Sequence, residues 1–325
     1  MPLTFVTNIM VQGWDGHACY MSYPYVYNSE GYGGSYKIIK CNISDTTSYV
    51  AISDAYANKI IGIDSDGTYL YTNFLFDNFK KFTTALTYVA SSTVQGSGRD
   101  TLVHKNTVFF NAGEKLQAIG KSMTALASLT NTNGTTYGLT VFSDHVVCAG
   151  DVSGKANLFV VSYDESTNSF SHKASYTTAA PVNYWDVATD GEFIYTSEPA
   201  AYRFTGSSLE LVATGSASLA AMTAGVDYQG QGVYCYGGKI YLAETNFDPI
   251  LLDWNTPGRV EVLTFNGSSF VSEQVIGQKE DGYDIKGDNG YIATSGDSRF
   301  PTGFAGKLYQ TDTWAPVSVS VNMTV

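Results

Sequence analysis

A tight turn followed by a short β-rich run recurs seven times along this chain of 325 residues, and few folds accommodate such a pattern. The runs are WDGHACYMS (14–22), DSDGTYLYT (64–72), HKNTVFFNAG (104–113), SDHVVCAG (143–150), TDGEFIYTS (189–197), YGGKIYLAE (236–244) and GDNGYIATS (287–295). Marked by Asp15, Asp66, Lys105, Asp144, Asp190, Gly237 and Asp288, they lie 51, 39, 39, 46, 47 and 51 residues apart. Continuing from Asp288 past Val325 and round to Asp15 gives 52, so the pattern closes on itself.

Most markers sit at Asp-Gly, Gly-Gly or Asn-Gly dipeptides, where positive φ is tolerated and a two-residue hairpin twists correctly. A second hairpin follows in each unit, most clearly in YKIIKCNISDTTSYVAI, LFVVSYDESTNSFSHKASY, YRFTGSSLELVAT and VEVLTFNGSSFVSEQVI. Each unit therefore holds about four short strands of alternating polarity. Four antiparallel strands every 40 to 50 residues describe a propeller blade, and seven of them close a ring. The expected fold is an all-β, seven-bladed β-propeller forming a single domain over 1–325, with blades near 9–52, 58–92, 100–130, 137–177, 183–214, 231–276 and 283–323. The N-terminal LTFVT is left over and available to latch the ring. DGTYLYT and DGEFIYT resemble the strand pattern of YVTN-type and WD-type propellers. Regular Gly-His to Trp-Asp pairing, double-glycine kelch spacing and the Ser-x-Asp-x-Gly-x-Thr-Trp box of the sialidase group are absent. The resemblance implies a ring with an axial channel and brings no reaction with it.

Composition narrows the function. Charged residues make up 15% of the chain and the net charge is −12, against about 25% charged in ordinary domains. The 18 basic residues are scattered, so a phosphate backbone would be repelled and nucleic-acid binding is not expected. No stretch reaches the ~18 apolar residues of a membrane span, and the N-terminus carries no signal-peptide pattern. Membrane insertion is likewise not expected. Cys19, Cys41, Cys148 and Cys235 are too few for a disulfide framework and read as core residues. Cys19 and Cys41, on adjacent strands of the first blade, are the one pair placed to bond.

In a propeller the innermost strand of each blade lines the channel, and loops between second and third strands share a face with the inter-blade connections. The long connections fall in neighbouring blades: 244–258 in blade six, 295–306 in blade seven and 22–35 in blade one. They carry Tyr25, Tyr27, Tyr32, Phe247, Asp253, Trp254, Arg299 and Phe300, rigid aromatics beside polar groups, as suits a contact surface for a glycan or another protein. Asp186 and Asp284 align in the inner strands of blades five and seven, with Gln12, Thr101 and Thr140 as expected equivalents. Two carboxylates at one level of a narrow channel require a counter-charge, either an axial cation or a proton. No other cofactor is implied. The histidines form no ligand motif, and no Gly-x-Ser-x-Gly nucleophile turn occurs.

The expectation is a non-catalytic binding or structural propeller that meets other protein subunits or a host glycan. Its low charge and richness in Tyr, Thr, Ser, Asn and Gly are similar to bacteriophage and viral virion proteins, which implies a place in a capsid vertex or tail. The alternatives are a polysaccharide hydrolase or lyase using Asp186, Asp284, Asp253 and Arg299, and an intracellular interaction scaffold.

Overall fold

The computed structural model describes residues 3–9, 17–32, 34–130, 134–179, 182–215, 227–247, 258–277, 281–297 and 306–311. Among these residues lie seven four-stranded antiparallel sheets. Six are continuous in sequence, spanning 19–52, 60–95, 101–130, 135–177, 187–214 and 227–277, and their strands lie side by side in chain order. The seventh takes three strands from 281–311 and its outermost from the N-terminus: Leu3–Ile9 pairs antiparallel with Gly306–Thr311. The chain thus closes its own ring, as the spare N-terminal strand suggested.

The apolar residues fall into seven buried clusters, one in each seam between neighbouring blades. Val147, Leu158 and Val160 of blade four meet Ile194, Tyr202 and Leu209 of blade five, and Tyr71 and Phe79 of blade two meet Val108, Phe110 and Ile119 of blade three. Ile9 completes the seam between blades seven and one, and Leu3 the seam between six and seven. A half-polar strand pattern buries one face per blade in each seam, so the core is a circle of seven interfaces.

The turn module explains why the repeat is visible. Asp66 Oδ1 accepts the N–H groups of Thr68 and Tyr69 at 3.0 and 2.8 Å, and its Oδ2 accepts the Tyr71 hydroxyl at 3.1 Å. Asp190 does the same with Glu192, Phe193 and Tyr195, at 2.9, 2.8 and 2.7 Å. The glycine that follows each, Gly67 and Gly191, has φ of +85° and +92°. The DGxxxY spacing is therefore a turn that holds itself shut with its own side chains.

The repeat slips by one strand in blade one. In blades two to seven the marker residues sit in the turn between first and second strands or, for Asp288, end the strand before it, but in blade one that turn is Tyr23–Pro24, and CYMS, after the Asp15 marker, is the first strand, Cys19–Ser22. The stretch 22–35 is accordingly not a long loop. It contains the second strand, Tyr25–Tyr32, and its turn ends at Gly34 with φ of +82°. Alternating Tyr-Val-Tyr is strand chemistry, and the aromatic count misdirected the loop assignment. Cys19 and Cys41 are buried free thiols; Cys19 Sγ donates toward the Ala293 carbonyl at 3.6 Å.

Candidate functional site

The inner strands and the residues leading into them deliver two rings of residues to one mouth of the axial channel. The upper ring takes one residue per blade, in order His17, Ile61, Arg99, Tyr137, Trp185, Gln231 and Tyr283, and they line a cavity of about 230 Å³. The residues that follow them in the chain are Ala18, Gly62, Asp100, Gly138, Asp186, Gly232 and Asp284. From blade two to blade seven, glycine alternates with aspartate. Close packing is the reason. A Cβ on Gly62 would lie 2.8 Å from the Asp100 carbonyl carbon, on Gly138 2.4 Å from Asp186 Cα, and on Gly232 3.0 Å from Asp284 Cα. Each glycine makes room for the aspartate of the next blade.

These aspartates are fasteners. Asp100 accepts from its neighbour Thr101 N–H at 2.8 Å and, with the other oxygen, from Leu139 N–H of blade four at 2.9 Å. Asp186 does so with Val187 and with Val233 of blade six, at 2.8 and 3.0 Å. Asp284 joins Ile285 and, across the closure, Cys19 of blade one, at 2.8 and 2.9 Å. Asp64, one pleat deeper, joins Ser65 and Val103 of blade three at 2.8 and 2.6 Å. Charge-assisted acceptance of N–H groups in an enclosed place is a strong use of a carboxylate.

Their counter-charge is Lys286. Its ammonium lies 3.4 Å from Asp284 Oδ1 inside the channel. Burial opposes the ammonium's charge, yet Asp284, Asp100 and Asp186 outweigh it and hold Lys286 well above the usual lysine range. Burial pushes Asp186 up to about 7, with Lys286 pulling it back, and raises Asp100 in the same way. Among the described residues no group of three or more His, Cys, Asp and Glu side chains is arranged for a metal. The cation expected between Asp186 and Asp284 is one the chain supplies itself. Their expected level-mates are corrected too: Asp100 belongs to the ring, Thr101 and Thr140 stand one and two residues beyond it, and Gln12 is outside the described residues.

Above the fasteners, Arg99 reaches from blade three across the mouth to donate to Gln231 Oε1 of blade six. Its guanidinium lies 4.2 Å from the Trp185 ring centroid and 6.0 Å from that of Tyr283. Tyr137 packs on Trp185 at 4.5 Å and His17 on Tyr283 at 4.7 Å, so Arg99 is the centre of a five-membered stack. Lys59 Nζ stands 3.2 Å from His17 Nε2 at the rim.

Polar side chains one strand out fix this stack. The Asn73 amide donates to the carbonyls of Gly98 and Asp100, on either side of Arg99, at 3.0 and 3.3 Å. Asn111 donates to the Tyr137 carbonyl. Ser197 Oγ accepts from Trp185 and Asp186 N–H at 3.0 and 3.3 Å, and Ser29 Oγ from His17 and Ala18 N–H, both at 2.9 Å. Such backbone pinning pre-organises a recognition surface.

The aromatics expected on blade one do not join the mouth. Tyr27 is 2% exposed in the seam with blade two. Tyr25 begins its strand at the opposite end of the ring, 3.8 Å under the Lys40 ammonium. Tyr32 and Phe247 end their strands on the mouth face, and their side chains lie outside the described residues, as do Asp253, Trp254, Arg299 and Phe300. Sequence reasoning missed Arg99, Trp185, Tyr137 and Tyr283. Their signal was the residue immediately before each inner-strand Asp or Gly, as in RD, YG, WD and YD.

No family model and no curated protein matches the sequence. Solved structures do. The chain is similar to the computationally designed Ika8 protein, at 8% identity and a TM-score of 0.61, over 94% of this chain and 99% of that one. It is similar also to BamB from Moraxella catarrhalis, at 10% identity and a TM-score of 0.53, over 92% of this chain and 84% of that one. At such identities the likeness is one of fold, and it agrees with the sheet order: the chain is a seven-bladed β-propeller of four-stranded antiparallel blades.

Proposed function

We propose that this propeller is a non-catalytic binding and structural module, a virion component of a capsid vertex or tail, that engages a host-surface glycan through the mouth of its axial channel. The observation that carries the reading is the pinned stack of Tyr137, Trp185, Arg99, Tyr283 and His17 around a concave cavity of about 230 Å³. Aromatic faces with a few convergent polar groups suit a sugar ring, and a concave hollow suits the end of a chain better than the flat surface of a neighbouring subunit. The segments 248–257 and 298–305 join strands whose ends lie on this face. Asp253, Trp254, Arg299 and Phe300, which they carry, are assigned to the outer part of the same contact.

A binding role is favoured over catalysis because Asp186 and Asp284 each have both oxygens engaged by backbone N–H groups. A general acid needs a proton it can deliver to a substrate. Low charge and richness in Tyr, Thr, Ser, Asn and Gly support the virion setting. A glycan array probed with wild type and Trp185→Ala tests the site: retained signal without product release supports the reading, and sugar release on prolonged incubation overturns it. Mass spectrometry of purified particles tests the location, and absence of the chain from them removes the virion assignment.

A further inference from the structure

We propose that the mouth is an anion receptor, and that the glycan it takes ends in a carboxylated sugar whose carboxylate seats on Arg99. The inference rests on reading the mouth as a glycan site and specifies the class of sugar. A guanidinium has five N–H donors in a planar fork. Arg99 uses one on Gln231, and among the described residues no acidic side chain forms an ion pair with it. Gln231 is itself 4% exposed, so the acceptor is a buried side chain rather than a solvated one. The Trp185 and Tyr283 rings hold the plane of the fork, so its remaining donors are presented without a search over rotamers. Burial pulls the guanidinium's pKa down from its usual value, and Tyr283, Tyr137, Asp186 and Asp284 offset this only in part. Lys59 adds a positive charge at the rim, its ammonium 3.2 Å from His17 Nε2.

The floor sets how much negative charge can enter. Asp100, Asp186 and Asp284 lie beneath Arg99, with Lys286 among them. Three carboxylates against Arg99, Lys286 and the rim's Lys59 leave no surplus of positive charge, so each further negative charge costs more and a phosphate dianion is disfavoured relative to a monoanion. A carboxylate matches the fork through two parallel hydrogen bonds. Tyr137 and Tyr283 then stand beside the ring to which it is attached.

NMR titration separates the outcomes. The probes are glucuronate, N-acetylneuraminate, methyl glucuronate ester, glucose, glucose 6-phosphate and a single-glutamate peptide. The expected result is binding of at least one acidic sugar, at least tenfold weaker binding of its neutral counterpart and of the phosphate, and a similar loss in Arg99→Gln. Arg99→Lys, which keeps the charge and loses the fork, should fall between. Equal binding of neutral and acidic sugars, unchanged in Arg99→Gln, overturns the anion receptor and leaves the glycan site standing. Binding of no sugar overturns both, and peptide binding in place of sugar overturns the class of ligand. Melting curves for each variant, with Trp185→Ala as a second probe of the mouth, distinguish lost recognition from lost folding.

Discussion

Asp190 and Tyr195 show how a repeat motif can be dictated by one turn. Tyr195→Phe removes a single hydrogen bond at a residue 2% exposed, which should cost about 1 kcal/mol in denaturant unfolding. Asp190→Ala also removes the shared acceptor of two N–H groups in the turn, and with the Tyr195 bond should cost about 2–3 kcal/mol. Asp64 makes a sharper prediction because its protonation is linked to folding. Burial pushes its carboxyl up to about 7, against the pull of the Val103 and Ser65 N–H groups. A folded value raised above the unfolded ~3.9 means that folding favours the protonated acid. Its contribution is therefore full below about pH 4 and is eroded as the pH rises to 7, at a limiting slope of about 1.4 kcal/mol per pH unit. Melting temperature should fall between pH 5 and 7, and Asp64→Asn should flatten that slope while losing one N–H acceptor. An unchanged slope in the variant would show that Asp64 is not the group responsible.

At the level of strands, the glycine and aspartate of adjacent blades act as a lock and its recess. Gly138→Ala puts a methyl 2.4 Å from Asp186 Cα, where only backbone could yield. Gly232→Ala meets Asp284 Cα at 3.0 Å and asks less. The first should cost ~1–3 kcal/mol and the second less, as read from chemical denaturation. The same strands show what could be read in advance. Blade number and the second hairpins were legible because turn residues and alternation are local chemistry. Asp186 and Asp284 stood out as inner-strand carboxylates, but Asp100 was passed over because its blade carries Lys105 rather than an Asp-Gly turn to set the register. Lys286 could not be assigned from sequence, since its partners come from three blades. Tyr25 and Tyr27 were misplaced because nothing local distinguishes a strand rich in tyrosine from a loop rich in tyrosine.

For the molecule as a whole, stability depends on the joint where its two ends meet. Leu3–Ile9 supplies the outer strand of the seventh sheet, buries Leu3 and Ile9 at 4% and 0% exposure, and exchanges hydrogen bonds with Gln274 of blade six through Leu3. Removing residues 1–9 leaves Gly306–Thr311 as an unpaired edge and opens two seams, at a cost of ~1.5–3 kcal/mol for each buried side chain, before the ladder is counted. The truncated chain should melt well below the full one and aggregate on size-exclusion chromatography. An unchanged melting temperature would mean that the ring does not need its latch. The alternation around the mouth has a further consequence, a matter of parity. A two-state pattern can run unbroken around six or eight members but not around seven, so it must fail somewhere. It fails at Ala18, between Asp284 and Gly62, in the blade beside the joint. A sevenfold ring built this way cannot look alike from seven directions. Any molecule descending into it meets a keyed opening, with one azimuth that differs from all the rest.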